Sequence, residues 1–256
     1  MRVALVEYLN TLPFVEAIKK HTSWEIIRAV PSKCIKLFED GTADLALVPV
    51  GGLANFPEEY KKITNYGICS GEKSVNSVFI FSNYNIEEIE TLYLDADSRT
   101  SNILAQLIIR KLYNKDIKVL TTENNPLQIQ GKNGFVRIGD KAMKEKKFFN
   151  FHYDLAELWT KWQNLPFVFA IWIIKPEFYS RKLEQFLNNI FAEEMLNVEN
   201  YLHTWSEKHK IRFSKEEIRR YFSENIRLFL SKEHNQALNI FINLAEKEFS
   251  YAFAIV

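Results

Sequence analysis

The run Leu165-Pro166-Phe167-Val168-Phe169-Ala170-Ile171-Trp172-Ile173-Ile174, bounded by Asn164 and by Lys175-Pro176, constrains the fold most. It is too short to span a bilayer as a helix, which takes about 20 residues. Its aromatic and β-branched content between turn signals predicts a strand buried on both faces. Ahead of it strand and helix alternate. From Phe178 onward the apolar residues recur at helical spacing, so the run is a seam between a mixed portion and a helical one.

Residues 2–8 predict a buried first strand, and Asn10-Thr11-Leu12-Pro13 starts a helix with Thr11 or Asn10 as cap and Pro13 in its first turn. Trp24–Val30 and Ala43–Val50 follow as strands. Between them Cys34, Ile35, Leu37 and Phe38 form a short amphipathic helix, and Gly51-Gly52 opens another. This alternation implies a parallel sheet with helices on its faces. Further strands are expected at Ile63–Ser70, Ser74–Ser82, Leu92–Ala96, Ile117–Thr121 and Phe135–Ile138, with helices from Ser98, over Lys141–Lys147 and over Tyr153–Trp162. In the tail, Leu183, Phe186, Leu187, Ile190 and Phe191 share a helical face. Ser214 and Glu217 form a capping box, and Ile218, Tyr221, Phe222, Ile226, Phe229 and Leu230 continue a helical stripe before a last helix over Ala237–Phe249. No flexible linker divides the 256 residues, which points to lobes that share strands.

Charge is balanced, 33 basic against 32 acidic residues, which argues against a nucleic-acid surface but leaves room for a local anion pocket. Cys34 and Cys69 read as reduced core thiols. The start, Met-Arg-Val-Ala-Leu-Val-Glu-Tyr, has no apolar h-region, so a cytoplasmic protein is expected, with no membrane partner. His21, His152, His203, His209 and His234 show no metal-ligand spacing, and there is no C-x-x-C, G-x-G-x-x-G, P-loop or G-x-S-x-G. Neither a metal nor a cofactor is expected.

The leading chemical candidate is Ser98-Arg99-Thr100-Ser101, where a strand feeds a helix. Unpaired N–H groups and the helix dipole favour an anion there, three hydroxyls and a guanidinium crowd the turn, and open α/β sheets place ligands at strand carboxyl ends. An equally weighted reading is a serine N-cap with Arg99 paired to Asp95 or Asp97. Tyr8-Leu9-Asn10-Thr11 is a second such turn. Its amide can donate and accept, although plain capping is the favoured reading. Ser77 is a polar residue on an apolar strand. Val50-Gly51-Gly52 offers backbone N–H groups at a strand end, or ordinary turn chemistry. Asp140 after Gly139 reads as a helix cap, and His152 as a packing residue.

Six segments in order, Tyr8-Leu9-Asn10-Thr11-Leu12-Pro13, Pro31-Ser32, Asp44–Val50, Ser98–Ser101, Ile138-Gly139-Asp140 and Leu165–Trp172, resemble the chorismate dehydratases of the futalosine route to menaquinone. The similarity runs from residue 2 to about residue 175. Glu7 stands where the family has a small or polar residue, and Gln163-Asn164 replaces Thr-Gly. The resemblance implies an α/β, two-lobed fold of the type II periplasmic-binding-protein kind, with two crossover segments and a helical C-terminal tail. Lobe 1 would hold residues 1–85 and 169–256, and an inserted lobe 2 residues 86–168, with the first crossing around Ser82–Thr91. The implied reaction is loss of water from chorismate to give 3-[(1-carboxyvinyl)oxy]benzoate, by a monomer or homodimer. Asn10 is then the catalytic residue, and Thr11, Val50, Gly51, Ser77, Ser98, Arg99, Thr100 and Ser101 bind substrate. The base is the substrate's own carboxylate, or else Glu7 or His152. Alternatives are a 1,4-dihydroxy-6-naphthoate synthase-like enzyme and a cytoplasmic small-anion binding protein.

Overall fold

The computed structural model describes residues 1–53, 56, 59–71, 74–121, 129–208 and 213–249. Among these the strands are β1 (Arg2–Val6), β2 (Glu25–Ala29), β3 (Leu45–Pro49), β4 (Lys61–Ser70), β5 (Val78–Ser82), β6 (Thr91–Leu94), β7 (Lys118–Thr121), β8 (Asn133–Ile138), β9 (Phe151–Asp154), β10 (Val168–Ile174) and β11 (Ile226–Phe229). The α-helices are α1 (Leu12–His21), α2 (Pro31–Glu39), α3 (Arg99–Leu107), α4 (Gly139–Glu145), α5 (Leu155–Gln163), α6 (Arg181–Leu196), α7 (Val198–Lys208), α8 (Lys215–Arg220) and α9 (Lys232–Phe249). None is long and apolar enough to cross a membrane.

The strands form two sheets, ordered β11-β4-β10-β3-β1-β2 and β7-β6-β8-β5-β9. Both are mixed, where strand–helix alternation alone implied a parallel arrangement. β1 runs parallel to β2 and β3, but β10 is antiparallel to β3 and β4, and β5 is antiparallel to β8 and β9. Every residue of β10 is buried, as the apolar run predicts. Trp172 stacks on Phe191 of α6, with ring centroids 5.3 Å apart, and meets Phe14 of α1 edge-on at 5.6 Å. Around the preceding turn, Phe167 packs edge-on against Trp159 of α5 and Phe241 of α9.

Several expectations are corrected. Val78–Ser82 pairs with β8 and β9, so the change of sheet falls between Ser70 and Val78 and not near residues 82–91. Phe151–Asp154 is a strand, and the helix expected from Tyr153 starts at Leu155 because Asp154 caps it. Ile226–Phe229 is a strand as well. Its burial alternates, Ile226 and Leu228 inward, and it covers the edge of β4 that would otherwise leave backbone groups unpaired. The capping box at Ser214 and Glu217 forms as expected. Asn164 ends α5 with φ +54, the left-handed conformation that glycine usually supplies and asparagine tolerates. α9 reaches beyond the first sheet: Glu248 pairs with Lys111 at 2.5 Å, and Arg110 lies over the Phe249 ring.

The chain leaves the first sheet after Ser70 and returns to it ahead of β10, and the two passages are bonded to each other. Ser70 N–H donates to the Phe167 carbonyl (2.8 Å), and Phe167 N–H donates to Ser70 Oγ (2.9 Å). His234 Nε2 lies 3.2 Å from the Ser70 carbonyl. Asp154 fixes the first passage. Its carboxylate accepts the N–H groups of Val75 (3.3 Å) and Asn76 (2.7 Å) while capping Ala156 and Glu157. Asn76 is thereby held at φ +52.

Burial outweighs these four donors and pushes the Asp154 carboxyl up to about 6, from 3.8. The native state therefore holds this proton more tightly than the unfolded chain. Its contribution to stability is complete below about pH 4 and drains as pH rises through 6, by ~3 kcal/mol in all. Urea unfolding across pH 4–7 should show that decline superimposed on the other groups, and Asp154→Asn should flatten it. An unchanged slope in the variant would contradict the assignment.

Candidate functional site

Where the two sheets face each other, their strand-to-helix turns close a cleft. It is lined by the β1–α1 turn (Tyr8, Asn10, Thr11), by Ser98, Thr100 and Ser101 at the start of α3, by Ser77 in the first passage, and by apolar side chains including Ile68, Val75, Ile138 and Phe169. Its free volume is about 60 Å³, where a single water needs roughly 10–15 Å³ by the same measure. A ring-sized ligand needs more room than this.

Three contacts hold the turns together across the cleft. Gly51 N–H donates to Thr100 Oγ1 at 2.9 Å. Leu9 N–H donates to Asp140 Oδ1 at 3.3 Å, so Asp140 spans the two lobes and is not the N-cap residue expected; Ile138 holds that position. The Tyr8 ring lies against Gly139, which sits at φ +65.

The polar groups divide into two sets. On one side Ser98 caps α3: its Oγ accepts the Ser101 N–H at 3.2 Å and donates to Ser101 Oγ at 2.8 Å. The N-cap reading of this serine is thus realised, and it coexists with a cleft position for Ser98, Thr100 and Ser101. On the other side Asn10 Nδ2 donates to Tyr221 Oη at 3.4 Å, and Ser77 Oγ lies 3.0 Å from the same oxygen. Tyr221 is fully enclosed, and burial raises its phenol so that it stays protonated. Sequence reading placed Tyr221 on a helical stripe and missed this bridge. Nothing local marks it, because its partners lie 144 and 211 residues away.

The remaining expected residues sit differently. Thr11 lines the cleft, but its Oγ1 donates back to the Val6 carbonyl at 2.7 Å and gives α1 no side-chain cap. Val50 and Gly51 are buried just behind the cleft-lining Pro49, and Arg99 is half-buried outside the lining. Glu7 is exposed and off the cleft. His152 lies on β9 in a separate groove that shares Tyr221 as a wall. Among the described residues, the cleft lining therefore holds amide, hydroxyl and phenol groups but no carboxylate, amine or imidazole.

Two other features lie elsewhere. A larger hollow, about 1140 Å³ between α6, α7 and β11, is mostly apolar and gathers none of the expected site residues. His21, Glu193 and Glu194 come within 4.8 Å of one another, a juxtaposition that sequence spacing did not show. Lys20 Nζ already pairs with both carboxylates at 2.7 Å, so the charge a cation would neutralise is met. His209 lies outside the described residues.

A Cβ on Gly51 would stand 2.6 Å from Thr100 Cα and 2.8 Å from its nitrogen, backbone atoms that cannot swing aside. Gly51→Ala should therefore fold but close incompletely. Small-angle scattering should give a larger radius of gyration than the unsubstituted protein, and ligand affinity should fall at least ~10-fold, or ~1.4 kcal/mol. An unchanged radius and affinity would show the contact to be dispensable.

The fold is shared with solved structures. A protein from Archaeoglobus fulgidus matches with a TM-score of 0.75 at 14% identity, over 96% of this chain and 97% of its own. A Candida albicans protein with the generic periplasmic binding protein fold gives 0.69 at 10% identity, over 96% and 90%. The periplasmic aliphatic sulphonate binding protein of Escherichia coli gives 0.62 at 12% identity, over 100% and 88%. The two-lobed periplasmic-binding-protein architecture with a helical tail is thus the fold of this chain. A sequence model described as menaquinone biosynthesis matches residues 1–247. The chain belongs to that menaquinone-biosynthesis family.

Proposed function

We propose that this protein is a chorismate dehydratase, eliminating water from chorismate to give 3-[(1-carboxyvinyl)oxy]benzoate. Family membership supports a role in menaquinone biosynthesis, and an enzymatic one. The observation that carries the finer reading is the chemistry of the cleft: neutral hydrogen-bonding groups at both sides, apolar walls between them, and no carboxylate, amine or imidazole in the lining among the described residues.

That chemistry suits a substrate that brings its own base. The ring C–H bond beside the enol ether breaks, and its electron pair completes the aromatic ring as the neighbouring C–OH bond breaks. The enolpyruvyl carboxylate takes the proton and passes it to the departing hydroxyl, which leaves as water. Aromatisation drives the elimination, so the protein's task is orientation and exclusion of water. The α3 turn would hold the ring carboxylate by N–H and hydroxyl groups, as helix N-termini hold anions. Asn10 and Ser77, themselves oriented by Tyr221, would fix the second carboxylate and the leaving hydroxyl. Apolar walls leave that carboxylate poorly solvated and hence more basic.

Purified protein incubated with chorismate should yield an aromatic product 18 mass units lighter, the mass of the water released, followed by absorbance and mass spectrometry. Asn10→Ala should lower kcat ~100-fold, the cost of one aligned donor. Glu7→Gln, at an exposed position off the cleft, should stay close to the unsubstituted rate. Chorismate bound but unchanged would transfer the site to a small-anion binding function. Loss of turnover in Glu7→Gln with retention in Asn10→Ala would overturn the roles assigned.

A further inference from the structure

Tyr221 is also a wall of a second space, a groove of about 710 Å³ that the proposed reaction does not use. In a chain with balanced charge, Lys144, Lys146, Lys147 and Arg220 line this groove against a single carboxylate, Glu217. That carboxylate accepts the Ser214 N–H at 2.7 Å in its capping box and also feels the charges of Lys144 and Arg220, so one acid faces four cations. Lys146 Nζ donates to Asn76 Oδ1 at 3.2 Å and lies 5.3 Å from the Phe79 ring. Lys147 Nζ lies over the exposed Phe148 ring. Lys146 and Lys147 make no ion pair among the described residues.

The cations come from both sides of the closure. Lys144, Lys146, Lys147 and His152 belong to the segment from α4 to β9 of the second sheet. Glu217, Arg220 and Tyr221 belong to the segment that runs into β11 of the first. Like charges brought together by closure repel one another, and an anion between them removes that cost.

We propose that this groove is a second anion-binding site, which takes a small dicarboxylate and docks it beside Tyr221 ahead of the cleft. The docking role rests on the reading of the cleft as a chorismate site; the anion site itself does not. His152 is the built-in reporter. Burial and the charge of Lys146 hold its imidazole below the usual value, opposed by Glu157, and Lys144, Lys147, Arg220 and Glu217 share its groove.

The test is a proton NMR titration of the full chain, with malonate as the probe and the exposed His203 as the internal reference. Malonate should move the His152 titration upward by about 0.5, saturably, while His203 stays put. The double variant Lys147→Gln/Arg220→Gln should lose the response. A His152 titration indifferent to malonate, or moved equally by sodium chloride at the same ionic strength, would overturn the site. In chorismate turnover at low ionic strength, the same variant should lower kcat/KM about 10-fold, chiefly through KM. Unaltered kcat/KM with malonate binding lost would overturn the docking role. If chorismate is not turned over at all, the proposed function fails while the malonate titration still decides the anion site.

Discussion

The structure depends on two passages of chain between sheets that are bonded to each other. Ser70 and Phe167 exchange hydrogen bonds at the point where the first sheet gives way to the second, and His234 from α9 reaches the Ser70 carbonyl. Asp154 grips Val75 and Asn76 from the far side. With both passages tied, the two sheets are joined at one place and meet again through one set of turns. Ser77 lies at the end of this fixed segment, so the residue that meets Tyr221 is placed by the same bonds that join the lobes.

In the proposed reaction, closure does the chemical work. The Gly51–Thr100 contact seats α3 on the turn after β3, and Leu9 and Asp140 join the β1–α1 turn to α4. Each is a backbone N–H meeting a polar side chain, a hydroxyl in one case and the buried Asp140 carboxyl in the other. The lining of the cleft that results is neutral among the described residues, and Asp140 is engaged in the closure itself. Under the proposed function, a dicarboxylate held there would face hydrogen-bond donors with little water, where its own carboxylate would be the strongest base available.

Much of this was legible in the sequence because it rests on local chemistry. The serine cap at Ser98, the box at Ser214 and Glu217, and the buried run of β10 are set by neighbouring residues, and all are present. What was not legible depends on partners far along the chain. Ile226–Phe229 alternates in and out like a strand, but it follows helical residues closely enough for its apolar members to extend their stripe. Val78–Ser82 is a strand in any reading; only its pairing with β8 and β9 assigns it to the second sheet. Tyr221 has no local signature at all. Thr11 kept its predicted place at the mouth of α1, yet its hydroxyl turned back to β1 instead of to the helix.

The central claim is that the substrate lies between the α3 turn and the pair Asn10 and Ser77, sealed by the meeting of the sheets. A crystal structure with the aromatic product bound tests it most directly. One carboxylate should lie within hydrogen-bond distance of Ser98–Ser101, and the other groups should lie in reach of Asn10 and Ser77. Product found only in the apolar hollow beside α6 and α7, or only in the lysine-lined groove, with the cleft between Asn10 and Ser98 left to water, would contradict it.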